Sequence, residues 1–234
     1  HEKLHWWYKV RRVMVHNFIQ KYYSEIEITP KMLDVGVGTG ALLEELIPRA
    51  DIYGVDFSLK AVEYCRQRGF ANVVRSGAEN LPFESESFDI VLALDVLEHV
   101  ENDQVAIREL YRVMKTGGLL IVFVPAFMIL WGITDEASHH FRRYTKGEIY
   151  QKIEKENFEI LRSTYFNTFL FLPILLVRLF TRILPRKMKS EHELGFGSGI
   201  LNEFFYYIFK LESSILKSVN FPFGVSAAII AKKR

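Results

Sequence analysis

Between Lys31 and Pro125 the chain alternates short aliphatic runs with stretches whose apolar residues recur every three or four positions. The first pattern predicts strands and the second amphipathic helices. Strands are expected at Lys31–Val35, Ile52–Asp56, Asn72–Arg75, Asp89–Leu94 and Gly118–Val124, and helices at Ala41–Pro48, Leu59–Arg68 and Asp103–Met114. Gly69, Pro82 and Gly117-Gly118 punctuate the series. The runs Ile90-Val-Leu-Ala-Leu94 and Leu119-Leu-Ile-Val-Phe-Val124 are apolar on both faces, as expected of central parallel strands covered by helices. This is the order of an α/β, doubly wound sheet.

Upstream, His5 to Tyr23 reads as one helix over the sheet's edge or mouth. Downstream come a loop at Ala126–Tyr144, a helix from Thr145 to about Glu156, a strand near Phe158–Thr164, a long ring-rich helical stretch, and a last strand at Val225–Lys232. The two late strands are expected to pair at one edge of the sheet.

Composition narrows the class. A chain of 234 residues can bury a core without disulfides or metals, and 49% hydrophobic with 25% charged residues excludes disorder, collagen-like structure and a disulfide scaffold. With 30 Lys+Arg against 28 Asp+Glu the net charge is +2, too balanced for nucleic acid as a partner. The single Cys65 excludes an internal disulfide and a cysteine zinc site, and fits a cytoplasmic location. The apolar stretch Phe169–Val177 is ended by Arg178, too soon for a spanning helix. The chain opens at His1 without Met or a charged-then-apolar leader, so a trimmed sequence with no signal peptide is expected.

The strongest chemical signal is Met32-Leu-Asp-Val-Gly-Val-Gly-Thr-Gly40, a strand running through a glycine turn into a helix. Gly36, Gly38 and Gly40 let the backbone turn sharply and approach a ligand, while the following helix start offers N–H groups. Asp34 precedes the turn, and Asp56 ends the next strand, where an acid can accept both hydroxyls of a ribose. Gly36, Gly38 and Ala41 also satisfy a dinucleotide pattern, so a nicotinamide- or flavin-dependent oxidoreductase is the rival. Asp34 argues against it: a carboxylate is repelled by a pyrophosphate but attracted by an ammonium.

Five blocks in order resemble the class I S-adenosylmethionine-dependent methyltransferases, in particular the methyltransferase type 11 group. They are the glycine block; Gly54-Val-Asp-Phe-Ser58; Ala78-Glu-Asn-Leu-Pro-Phe83; Phe88-Asp-Ile-Val-Leu-Ala-Leu-Asp-Val-Leu-Glu-His-Val100; and Glu109-Leu-Tyr-Arg-Val-Met-Lys-Thr-Gly-Gly118. The resemblance implies a Rossmann-like seven-stranded sheet, mostly parallel with the last strand antiparallel, an N-terminal helix, and a helical insertion between the last two strands. It divides one domain of 1–234 into a helical lid (1–30), a cofactor-binding core (31–125), a substrate side (126–165), an aromatic insertion (166–222) and the final strand (223–234). It implies S-adenosylmethionine as cofactor, S-adenosylhomocysteine as product, and in-line displacement of the methyl group. Gly36, Gly38 and Gly40 with Asp34 would hold the methionine part, Asp56 the ribose, and Phe57, Ala78 and Glu79 the adenine. Leu94 and Asp95 would meet the ammonium and line the mouth. The family commonly has Asp where this chain has Gly77, so Glu79 or a backbone carbonyl must take the adenine amino group.

The segment Trp131–Thr145 resembles a subgroup pattern of Asp, His and Arg-Arg-Tyr-Thr, which assigns Trp131, Asp135, Arg143 and Tyr144 to the acceptor and His140 to a general base. The alternative is that His140 and the arginines tie the loop to the Thr145 helix, with Glu148 completing a capping box. Glu98 and His99 are read as helix-start residues that pack. Tandem His139-His140 with scattered acids lacks metal-ligand spacing, so no metal is expected. The same subgroup begins as His5-Trp6-Trp7-Tyr8 with Arg11-Arg12 do here, either a lid over the cofactor or a helix whose rings cover the sheet.

Of the chain's 19 Phe and 11 Tyr, the largest share falls in the insertion, beside Arg178, Arg182, Arg186, Lys187 and Lys189. Four readings stand: a cap over an apolar or lipid-linked acceptor, a homodimer surface, peripheral membrane contact through 166–190, or simple extra core. Gly195–Gly199 is read as a mobile hinge. A non-catalytic cofactor-binding accessory protein is the remaining alternative to a small-molecule methyltransferase.

Overall fold

The computed structural model describes residues 5–23, 29–46, 50–183 and 200–234. The proposed hinge at Gly195–Gly199 and the cations at 186, 187 and 189 lie outside them. Seven strands form one sheet: β1 (Lys31–Val35), β2 (Asp51–Asp56), β3 (Val73–Arg75), β4 (Phe88–Leu94), β5 (Met114–Pro125), β6 (Phe158–Phe166) and β7 (Ser226–Lys233). Their order is β3-β2-β1-β4-β5-β7-β6. The pairs within β1–β5 are parallel, and only β7 runs antiparallel to its neighbours. The reversal of order between β1 and β4 opens a crevice at their carboxyl ends, the usual ligand position in such sheets.

The helices are α1 (Trp6–Tyr22), α2 (Ala41–Leu46), α3 (Leu59–Gln67), α4 (Asp103–Val113), α5 (Ile133–Ala137), α6 (Lys146–Glu154), α7 (Phe171–Ile183) and α8 (Ile200–Leu216). On one face, Ala106, Ile107 and Leu110 of α4 and Ile149 and Ile153 of α6 bury against Val91, Leu120 and Val122. On the other, Val10, Met14 and Phe18 of α1, Leu42 of α2 and Phe209 of α8 cover Leu92, Ile121 and Phe123. Both faces of the central strands are therefore dry, which is why their sequences carry no polar alternation.

One boundary differs from the sequence pattern. Residues through Met114 continue the helical periodicity, but α4 ends at Val113 because Met114 pairs with Phe88. Four residues, Lys115–Gly118, then bulge out before the β4–β5 register resumes at Ile90 and Leu119.

The insertion packs back onto the leading helix. Trp6 meets Phe205 at 5.5 Å between ring centroids, Trp7 stacks on Phe209 at 5.5 Å, and the Trp6 amide donates to Asn202 Oδ1 at 2.9 Å. Glu212 of α8 accepts from the Phe169 amide at 3.0 Å, fixing the approach to α7. These inward rings are core. Leu172, Leu176 and Phe180 of α7, and Phe204, Tyr207 and Leu211 of α8, form stripes that remain exposed. Among the described residues no helix is long and apolar enough to cross a membrane.

Candidate active site

The crevice begins at the glycine turn. The amides of Gly36 and Val37 both donate to the Val55 carbonyl, at 2.8 and 3.1 Å, which draws the turn against β2. Gly36 has φ +81°, and a Cβ there would stand 2.6 Å from Val96 Cγ2. Gly38, at φ +52°, has nothing within 4 Å on its Cβ side, so its backbone faces open space. The Asp56 carboxylate holds this shape from β2: Oδ2 accepts from the Gly38 amide at 2.9 Å and Oδ1 from the Ser58 amide at 2.8 Å. Each oxygen keeps a further acceptor site.

Beside Asp56, the Phe57 ring is 76% exposed. Arg75 donates to the Phe57 carbonyl at 3.0 Å, and its guanidinium lies 5.7 Å from the ring centroid. Asp34 and Ala78 are buried. Glu79 is exposed, and its Oε2 lies 3.1 Å from where a Cβ on residue 77 would sit, so its carboxylate borders the position where the family commonly carries Asp. An open backbone face, a carboxylate with spare acceptor sites and an uncovered ring fit the cofactor that the resemblance implies.

At the next strand ends the backbone is strained. Asp95 follows Leu94 with φ +56°, Phe127 comes after β5 with φ +56°, and Asn167 follows β6 with φ +58°. Non-glycine residues rarely adopt this region, and three at one end of a sheet mark it as over-determined by its surroundings. The Asp95 amide donates to Phe123 at 2.9 Å, and its carboxylate pairs with the buried Arg11 of α1. Arg11 in turn lies over the Trp7 and Phe123 rings, each 5.3 Å from its centroid. The leading helix thus covers the sheet with its rings while one arginine reaches the mouth.

The loop after β5 is built around a buried acid. Asp135 is fully buried and accepts from the Gly132 amide at 2.9 Å and from Arg143 Nε and Nη2 at 2.8 and 3.0 Å, with His140 Nδ1 2.9 Å from Oδ1. Burial pushes its pKa up, but the bonds from His140 and Arg143 outweigh it and hold the carboxyl well below the usual range. Tyr144 is buried too, its hydroxyl 3.0 Å from the Leu97 carbonyl and 2.9 Å from Asp103 Oδ2; burial and the Asp103 charge push its pKa up. Thr145 and Glu148 form the expected capping box. Asp135, Arg143 and Tyr144 therefore frame the loop from inside, and of the four acceptor candidates Trp131 alone is partly open.

Sequence reasoning set Glu98 and His99 aside, yet they converge on His140. They occupy a single 3-10 turn, Leu97–His99, after β4. Glu98 is fully buried, and neither carboxylate oxygen has a hydrogen-bond partner. Burial, reinforced by the Asp95 charge, raises its pKa well above the ordinary value. The His99 and His140 rings meet edge to face with centroids 4.5 Å apart. Partial burial and the adjacent His140 lower the pKa of His99, favouring its neutral form. The only sequence signal was an acid and a histidine directly after a buried strand.

Fold and crevice define the class I methyltransferase architecture, and comparison with known proteins agrees. Residues 33–122 match the family described as methyltransferase domain, of the type 11 group. An uncharacterized protein of Methanocaldococcus jannaschii is 33% identical over 141 residues, 58% of this chain and 62% of that protein. A demethylmenaquinone methyltransferase of Anoxybacillus flavithermus is 33% identical over 138 residues, 54% of this chain and 58% of its own. The match thus spans about three fifths of these relatives' length. In fold, a geranyl diphosphate methyltransferase solved in complex with S-adenosylmethionine superposes with a TM-score of 0.62 at 12% identity, covering 97% of this chain and 90% of its own.

Proposed function

We propose that this protein transfers a methyl group from S-adenosylmethionine to a small, apolar acceptor presented at a lipid surface. The observation that carries the reading is an open cofactor cradle beside an apolar mouth. In the cradle, the Gly36–Gly40 turn and Asp34 would hold the methionine part, Asp56 the ribose hydroxyls, and Phe57 with Ala78 and Glu79 the adenine. Bound there, the cofactor supplies an activated methyl on a sulfonium, already a good leaving group, so the protein's task is alignment and exclusion of water.

Beyond the cradle, Met128, Ile129, Ile133 and Phe141 are exposed on the loop after β5. That loop touches α7: Arg178 donates to Thr134 Oγ1 at 2.5 Å, and the Phe127 and Phe171 rings lie 5.9 Å apart. The exposed side chains Leu172, Leu176 and Phe180 extend the same apolar surface outward. An aromatic helix ending in cations suits the edge of a bilayer. The relative named for demethylmenaquinone supports an apolar acceptor.

Calorimetry with S-adenosylhomocysteine tests the cradle: binding is expected, and Asp56→Ala or Gly38→Val should weaken it more than tenfold. A wild-type protein indifferent to the ligand overturns the reading. Transfer of labelled methyl from S-adenosylmethionine into a panel of vesicle-borne apolar acceptors then tests the acceptor class.

A further inference from the structure

We propose that Glu98, His99 and His140 form a binding site for a divalent first-row transition cation, of which zinc is the simplest case. One oxygen of Glu98 and one ring nitrogen from each histidine lie within 4.8 Å of one another. Donors bound to a common ion at about 2.1 Å stand roughly 3.5 Å apart, so side-chain rotations of about an ångström complete the set.

Charge calls for such an ion. Glu98 is buried with both oxygens unpartnered, and the arginines that face it are already committed, Arg11 to Asp95 and Arg143 to Asp135. A buried carboxylate in that position needs a proton or a cation, and two imidazoles beside it supply the rest of a cation's ligands.

The surrounding bonds orient His140 as metal ligands are usually oriented. It directs Nδ1 to the Asp135 carboxylate at 2.9 Å, which leaves its other ring nitrogen for the ion. His139, the neighbour that the sequence pairs with His140, is exposed and outside the set. Two nitrogens and one oxygen favour zinc and its first-row neighbours over magnesium or calcium. Three protein ligands also leave a coordination position for a water or an acceptor heteroatom. The site lies where β4 and the loop after β5 meet the crevice, so it would serve methyl transfer if that reading holds, but its occupancy does not depend on it.

The test uses the tag-free full chain, stripped by chelator and titrated with Co2+ followed by visible d–d absorption. The expected result is about one equivalent bound, displaced by Zn2+, with Glu98→Gln, His99→Gln and His140→Gln each weakening uptake at least tenfold. Asp135→Asn, which touches His140 without being one of the three ligands, should weaken it by about 10- to 100-fold. Circular dichroism confirms that each variant folds, and S-adenosylhomocysteine calorimetry on the same samples separates loss of the ion from loss of the cofactor cradle. Wild-type protein without d–d bands, or folded Glu98→Gln and His140→Gln variants that bind Co2+ as tightly as wild type, overturns the proposal.

Discussion

Arg143 grips Asp135 with two parallel hydrogen bonds, Nε to Oδ1 at 2.8 Å and Nη2 to Oδ2 at 3.0 Å, around a carboxylate with no exposure. The same guanidinium donates through Nη1 to the Ala126 carbonyl at 3.1 Å, so one side chain ties the loop to the end of β5. Lysine has the charge but not the fork. Arg143→Lys is expected to lower stability by about 3 kcal/mol, in the range for breaking a buried pair. Urea unfolding measures it, and limited proteolysis should show faster cleavage between Ile133 and Tyr144. Affinity for S-adenosylhomocysteine should stay near wild type, because the cradle stands on β1 and β2.

Phe57 gives the opposite pattern. Its ring is 76% exposed and packs into no core cluster, so truncation removes a ligand platform and little folding energy. Phe57→Ala should weaken S-adenosylhomocysteine binding by about tenfold, the scale of one aromatic stacking contact, while the melting temperature stays unchanged. A matched fall in melting temperature would mean that the ring is structural.

The contrast between these residues shows what the sequence could reveal. Strands such as Ile90–Leu94, and the cradle of glycines with Asp56, are local signals: each is carried by adjacent residues whose periodicity or spacing survives without knowledge of partners. The end of α4 was not legible, because Met114 fits the helical pattern and leaves it only to pair with Phe88. Nor was the meeting of Glu98 and His99 with His140, since it depends on how Asp135 and Arg143 fold the intervening loop. Trp6 and Trp7 likewise fit a lid or a cover equally well until Phe205 and Phe209 are placed against them.

The outer stripe of α7 separates membrane delivery from mere packing. Leu176 and Phe180 are exposed, so Leu176→Gln with Phe180→Gln should change folding stability by no more than about 0.5 kcal/mol. Co-sedimentation with anionic vesicles should fall several-fold, and transfer to a vesicle-borne acceptor should fall with it. Transfer to the same acceptor dispersed in detergent should be spared. Unchanged vesicle binding would remove the stripe from acceptor delivery and leave a dimer face, which sedimentation velocity would reveal.

Asp103 predicts how the scaffold behind the site responds to acid. It is buried at the start of α4, where it accepts from Lys152 Nζ at 2.8 Å, lies 2.9 Å from the Tyr144 hydroxyl, and pairs with Arg142 at 3.1 Å. Burial raises its pKa, but Lys152, Tyr144 and Arg142 together leave it below the ordinary value. A carboxyl whose pKa is lower folded than unfolded binds more protons when unfolded, so its contribution is fully present above the unfolded pKa of about 3.9 and is lost as pH falls through the folded value. Asp103→Asn should therefore cost about 2 kcal/mol at pH 7, where the charged hydrogen bonds are intact, and progressively less as the medium is acidified. Urea midpoints at pH 7, 5 and 3 measure this directly: the wild-type and variant curves should converge toward low pH, and a constant gap would show that the carboxylate's charge does not hold α4, α6 and the loop together.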